Sequence, residues 1–139
     1  MGRQRLGRLL RSLALLLLWM GLTLASAGSP ALAGPVDWRE VSASSDGRQW
    51  WDAGSLRLSR GGHLSVLSRF QPAPDGDTQP GPSDLYVMEI DCDQQLYRDT
   101  SINGIPRFQA EWQAPADEGL ITAVIEASCA AGSPLLQAA

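Results

Sequence analysis

Asp84-Leu85-Tyr86-Val87-Met88-Glu89-Ile90-Asp91-Cys92-Asp93 is the stretch on which the fold turns. Tyr86, Met88, Ile90 and Cys92 share one side of a two-residue repeat. Leu85 and Val87 give way to Glu89, Asp91 and Asp93 on the other side. That alternation predicts a strand with one face on a core and the other turned toward water. Cys92 falls on the inward side, and the chain of 139 residues holds only one other cysteine, Cys129. A strand that can be tied covalently to the C-terminal end of the chain belongs near the centre of the domain.

Working outward, the N-terminus reads as a leader. Arg3, Arg5, Arg8 and Arg11 make a basic start, and an apolar run of twelve residues, Leu13 to Leu24, follows. Small residues then lead to Ala31-Leu32-Ala33. This is the three-part plan of a secretory signal peptide over residues 1–33, with Ala25-Ser26-Ala27 as the competing cut. The run is too short for a bilayer core that needs about 20 apolar residues. No cysteine sits at its end for lipid attachment. The arginines contain no adjacent pair, which favours the general secretory route. The expected destination is the periplasm or the outside, with no stable membrane anchor after cleavage.

Residues 34–139 carry seven arginines, no lysine and fifteen carboxylates, a net charge of −8. One core of modest size fits that length. Such an acidic domain lacks the basic footprint of a nucleic-acid binder and is repelled by polyanions. Two cysteines in an exported domain suggest one disulfide, Cys92 to Cys129. In the chain-entropy account that bond contributes about 4 kcal/mol. Asp91 and Asp93 flank Cys92 and disfavour a thiolate, so the pair reads as structural rather than redox-active.

Before the central strand the chain predicts a meander. Strands are expected at Val36–Val41, Gln49–Asp52, Ser55–Arg60 and His63–Phe70, with turns at 42–47, Ala53-Gly54 and Gly61-Gly62. Connections this short make neighbours antiparallel. Pro72, Pro74, Pro80 and Pro82 turn residues 71–83 into a surface loop. After the central strand, Gln95–Thr100 reads as its hairpin partner. Phe108, Ala110 and Trp112 alternate with polar residues and predict one more strand, ended by Pro115. Leu120, Ile121, Val124, Ile125 and Ser128 recur at helical spacing, with Asp117 or Glu118 near the N-terminus. The β-branched content also permits a strand there. Gly132 and Pro134 predict a frayed tail over residues 132–139.

Taken together, Trp38, Trp51-Asp52, Ser55-Leu56-Arg57, Gly61-Gly62, Tyr86 with Ile90-Asp91-Cys92, Tyr97-Arg98, Trp112 with Pro115, and Cys129 form a pattern. It resembles the surface-adhesin protein E-like family of small exported bacterial domains, over essentially all of residues 34–131. The resemblance implies an α+β fold: an antiparallel meander sheet of about six strands, with one C-terminal helix on a face, tethered by the disulfide. It also implies a binding role, best known as adhesion to host matrix and serum proteins. The fold and the disulfide are carried over; the host ligand is not.

Candidate sites are few. His63, the single histidine, falls opposite Leu64 and Val66 and is expected toward solvent, with no nucleophile marked beside it. Asp75-Gly76-Asp77 and Asp91-Cys92-Asp93 do not supply the ligand plan of a calcium loop. No metal, cofactor or catalytic residue is therefore assigned. Adjacent Trp50 and Trp51 must point to opposite faces of a strand. One is expected in the core and the other at least partly exposed, unless the helix covers both, which makes this pair the candidate binding surface. The leading reading is a non-enzymatic exported domain that binds a protein or an envelope component. Its rivals are a small carboxylate-dependent hydrolase and a structural subunit of an envelope complex, and homo-oligomer formation is left open.

Overall fold

A computed structural model describes residues 35–42, 44–117 and 119–139. The expected signal segment and its cleavage sites lie outside the described residues, as does Glu118. The elements run β1 (Trp38–Glu40), β2 (Gly47–Asp52), a 3₁₀ turn (Ala53–Ser55), β3 (Arg57–Leu58), β4 (Leu64–Pro72), β5 (Asp84–Asp91), β6 (Leu96–Ile102), β7 (Ile105–Pro106) and α1 (Leu120–Gln137). Every ladder is antiparallel, in the order β1-β2-β4-β5-β6-β7, and β3 also pairs with β4. The fold is therefore the expected α+β meander, with seven short strands where about six were predicted.

β2 and β3 are one strand with a break. Trp51 pairs with Ser68 and Arg57 with Ser65, so three extra residues are looped out on the β2–β3 side. They form the 3₁₀ turn, and buried Asp52 holds it. Asp52 Oδ1 accepts from the backbone N–H of Asp37 at 2.7 Å and of Gly54 at 3.0 Å. Ser55 Oγ donates to the Asp52 carbonyl and accepts from Leu67 N–H. These bonds satisfy backbone groups that the break takes out of the ladder. They give the Trp-Asp and Ser-Leu-Arg motifs a physical meaning.

β4 and β5 are the middle of the sheet. Their inward residues Leu64, Val66, Met88 and Ile90 are fully buried and meet Val41, Trp51, Leu120, Val124 and Ile125 in one core. α1 lies over β2, β3 and β4. It is long and apolar enough to cross a membrane, yet its Val124, Ile125, Ser128 and Gly132 are buried. Cys92, one residue past β5, is bonded to Cys129 in α1, with the Cα atoms 5.7 Å apart. The staple joins the middle strand to the middle of the helix.

Two expectations are corrected. The alternation of Phe108, Ala110 and Trp112 does not make a strand: beyond Pro106 the chain leaves the ladder, and Phe108 is 95% exposed. Only Gln113 returns to the sheet, as a bridge to Tyr97. The expected tail is instead helix as far as Gln137, because packing outweighs the two breakers. A Cβ on Gly132 would lie 2.4 Å from Leu64 Cδ1, so the missing side chain lets the helix close on the sheet. Leu136, past Pro134, still packs on the core. At the other end, Asp117 lies two residues before Gly119, the N-cap of α1, and Thr122 Oγ1 donates to the Ala116 carbonyl.

Candidate functional site

The helix covers only part of the inner face. Beyond its N-terminal end, the inner face continues across β5 and β6 into an open cleft of about 420 Å³. Phe70 of β4, Tyr86 of β5 and Tyr97 of β6 supply aromatic walls, while Asp46, Gln49 and Asp99 supply polar groups. Gly119, Leu120 and Ile121 of the helix form the rim. Register explains the grouping. Gln49 pairs with Phe70, Met88 with Asp99 and Ile90 with Tyr97, so all of these residues share the inner face. Asp99 is turned inward by the two-residue phase it shares with Tyr97; the β-bulge opposite Val87 and Met88 shifts the phase of β6 only beyond it.

The polar floor is tied down. Gln49 is buried and donates its amide to Ser68 Oγ at 2.9 Å; Ser68 Oγ donates to the Trp50 carbonyl at 3.0 Å. Asp99 is different. Its carboxylate is half-buried, and burial pushes it above the usual carboxylate range, with Arg107 partly opposing. Among the described residues it closes no ion pair. Burial, followed by the charges of Asp84 and Asp99, pushes the Tyr86 phenol up; burial and Asp99 do the same to Tyr97. Both phenols stay protonated at neutral pH and can donate.

Trp50 and Trp51 do not form the expected surface. Trp51 is in the core at 4% exposure, whereas Trp50 is on the outer face yet only 9% exposed. Its cover is not the helix. Arg69 lies 4.3 Å from the Trp50 ring and 5.4 Å from that of Trp38, and Arg48 lies 4.8 Å from Trp50. Guanidinium groups stack on aromatic faces through the ring quadrupole. Arg69 Nε is buried with no hydrogen-bond partner among the described residues, so the two rings are its principal support. Arg48 is fixed in turn by two bonds to Glu40, 2.6 and 2.7 Å, and that pairing holds Glu40 below its ordinary pKa.

The outer side of β5 is covered as well. Trp112 returns over it, with Arg98 at 4.6 Å from its ring and His63 edge-on at 4.8 Å. Glu89, expected in water, has a side chain only 12% exposed and is paired with Arg98. Burial alone would raise Glu89, but the Ser59 hydroxyl, Arg98 and His63 outweigh it and hold the carboxyl below its usual range. His63, expected toward solvent, is partly covered by Trp112, and its Nε2 is 3.8 Å from Asp91. Asp75 and Asp77 remain exposed in the loop, and no cluster among the described residues could hold a metal ion.

Sequence reasoning missed the cleft. The one signal for it was an acidic residue, Asp99, two places from Tyr97 and in phase with the inward side.

No curated protein and no solved structure matches the chain. The family model described as the surface adhesin-E family matches residues 39–135, a span from β1 through the disulfide into the last turn of α1. With that span, that sheet and that staple, the chain belongs to the surface adhesin-E family.

Proposed function

We propose that this protein is an exported, non-enzymatic binding domain that engages a partner protein or an envelope component through the aromatic cleft. Family membership suggests an adhesin-like, non-enzymatic role. A disulfide suits a domain that works in an oxidising compartment, and export by the general secretory route with release after Ala33 belongs to this reading. The observation that carries it is the uncovered inner face. Phe70, Tyr86 and Tyr97 line a concave opening beside the part of the inner face that α1 covers, while Trp50 on the outer face is covered by arginines and Glu89 lies near Trp112 and Arg98. Aromatic-lined concavities with a few polar groups are the usual form of a binding site.

The test is capture by wild type and Tyr86→Ala from envelope extract and from a panel of matrix and serum proteins. Tyr86 lies at the open end of its strand and packs at the edge of the core, so capture is compared at equal folded fraction, checked by near-UV circular dichroism. Truncating an aromatic anchor costs about 2 kcal/mol or more, so at least about tenfold weaker capture is expected. Equal capture by both would end the reading.

One observation favours a hydrolase as the second reading. Asp46 and Asp99 line the same cleft, and burial raises Asp99, as a general acid requires. Turnover of a glycoside or ester substrate by wild type, lost in Asp99→Asn, would establish it.

A further inference from the structure

We propose that the cleft receives a cationic side chain, an arginine or lysine of the partner, with its alkyl stem among Phe70, Tyr86 and Tyr97 and its charge at Asp99. This rests on the binding reading above and names the chemistry of the occupant. Four observations converge on it. Aromatic faces carry negative quadrupole charge and attract ammonium and guanidinium groups, more strongly once water is displaced. Three such rings surround the opening. Asp99, and Asp46 at the edge, add negative charge, so an anionic ligand would meet repulsion from both sides.

The third observation is the state of Asp99. It is the inward carboxylate of β6, half-buried, and Arg107 acts on it without closing to an ion pair. The other covered carboxylates of the sheet have partners: Glu89 pairs with Arg98, and Asp52 accepts from the backbone N–H groups of Asp37 and Gly54. Asp99 is left for a cation from outside. A neutral sugar would not relieve that charge, whereas a guanidinium bonds a carboxylate through two parallel N–H donors.

The fourth is the charge of the whole. Residues 34–139 carry fifteen carboxylates against seven arginines, a field that steers basic partners in. The protein already uses the same chemistry internally, where Arg69 is held between Trp38 and Trp50. At about 420 Å³ and open to solvent, the cleft suits a side chain projecting from a larger body.

The experiment is a titration of the purified, oxidised protein with a short peptide carrying one arginine, followed by NMR shifts of Phe70, Tyr86, Tyr97 and Asp99. The same peptide with citrulline is the uncharged isostere, and agmatine is the free amine. The arginine peptide is expected to shift all four residues and to bind at least about tenfold more tightly than the citrulline peptide. Asp99→Asn is expected to abolish that preference while melting no lower than wild type, so a folding defect cannot imitate the result. Equal binding of the two peptides, or silence at the four residues at millimolar peptide, overturns the cation. Agmatine binding without the arginine peptide overturns the partner side chain in favour of a small amine. If the cation fails while Tyr86→Ala still loses partner capture, the binding reading stands alone. If capture is also indifferent to Tyr86→Ala, that reading falls with it.

Discussion

Under α1 the inner face of the sheet is aliphatic and closed; past the helix N-terminus the same face is aromatic and open. The same strands build both. β4 passes from Leu64 and Val66 to Phe70, and β5 from Ile90 and Met88 to Tyr86. At the closed end the helix is brought within contact of the sheet and stapled there. At the open end the strands outrun the helix, and large amphipathic rings stand where aliphatic side chains would need a cover. Stability is concentrated at the closed end, and the recognition proposed above belongs to the open one. Substitutions at the closed end should therefore move the unfolding free energy, and those at the open end should move affinity.

The largest effect is expected from the staple. Cys92→Ala with Cys129→Ala releases a loop spanning 37 positions. The chain-entropy account assigns such a loop about 4 kcal/mol. Urea unfolding of the double variant should show a loss of about 2–5 kcal/mol, with ligand binding by the still-folded fraction unchanged. If binding at the cleft fell while stability held, the two ends would not be separable.

Next is the close approach of helix and sheet. Gly132→Ala improves helix propensity by about 1 kcal/mol, but its Cβ would lie 2.4 Å from the fully buried Leu64 side chain. Overpacking of this kind costs about 1–3 kcal/mol, so a net destabilisation is expected. Pairing it with Leu64→Val makes room and should return part of the loss, which a double-mutant cycle would read as coupling. A stabilised Gly132→Ala would show that the helix can lift without cost.

What was legible in the sequence divides along the same line. Strand β5, the proline-rich loop and the disulfide each rest on local signals: period-two alternation, ring-locked backbone and a single cysteine pair. The helix face was read from apolar pairs at helical spacing, and its end was not. Gly132 and Pro134 look like breakers in isolation, and only the distance to Leu64 shows why a glycine is needed. Phe108, Ala110 and Trp112 alternate like a strand, but Trp112 turns back to Arg98 and His63. The sequence leaves open which of Trp50 and Trp51 is exposed; neither is, and the chain does not announce that Arg48 and Arg69 will lie over Trp50. The cleft depends on where the helix begins relative to β6, a tertiary relation that neither element's own periodicity carries.

The smallest effect gives the sharpest contrast, between two carboxylates on opposite faces of neighbouring strands. Glu89, on β5, is held below its usual range by Ser59, Arg98 and His63 against the opposing effect of burial. The unfolded chain then binds more protons than the folded one, so Glu89 contributes stability that is present above its ordinary pKa. That contribution is lost as pH falls through the lowered folded value. Asp99, on β6, is raised by burial and has the opposite sign. The folded protein holds the extra proton, so stability declines as pH rises from the ordinary aspartate value through the raised one. At neutral pH Glu89→Gln should therefore destabilise and Asp99→Asn should not, since each amide removes the titrating group. Chemical denaturation of the two variants across the acid-to-neutral range would check the signs. The difference between wild type and Glu89→Gln should shrink on acidification below the ordinary glutamate range. Asp99→Asn should gain on wild type as pH rises toward neutrality. With the arginine peptide present, wild type should regain that ground and Asp99→Asn should not, because only an ionised Asp99 rewards a bound cation. Curves of the same sign for both variants would mean that Asp99 already has a counter-charge, and that the open end is closed like the other.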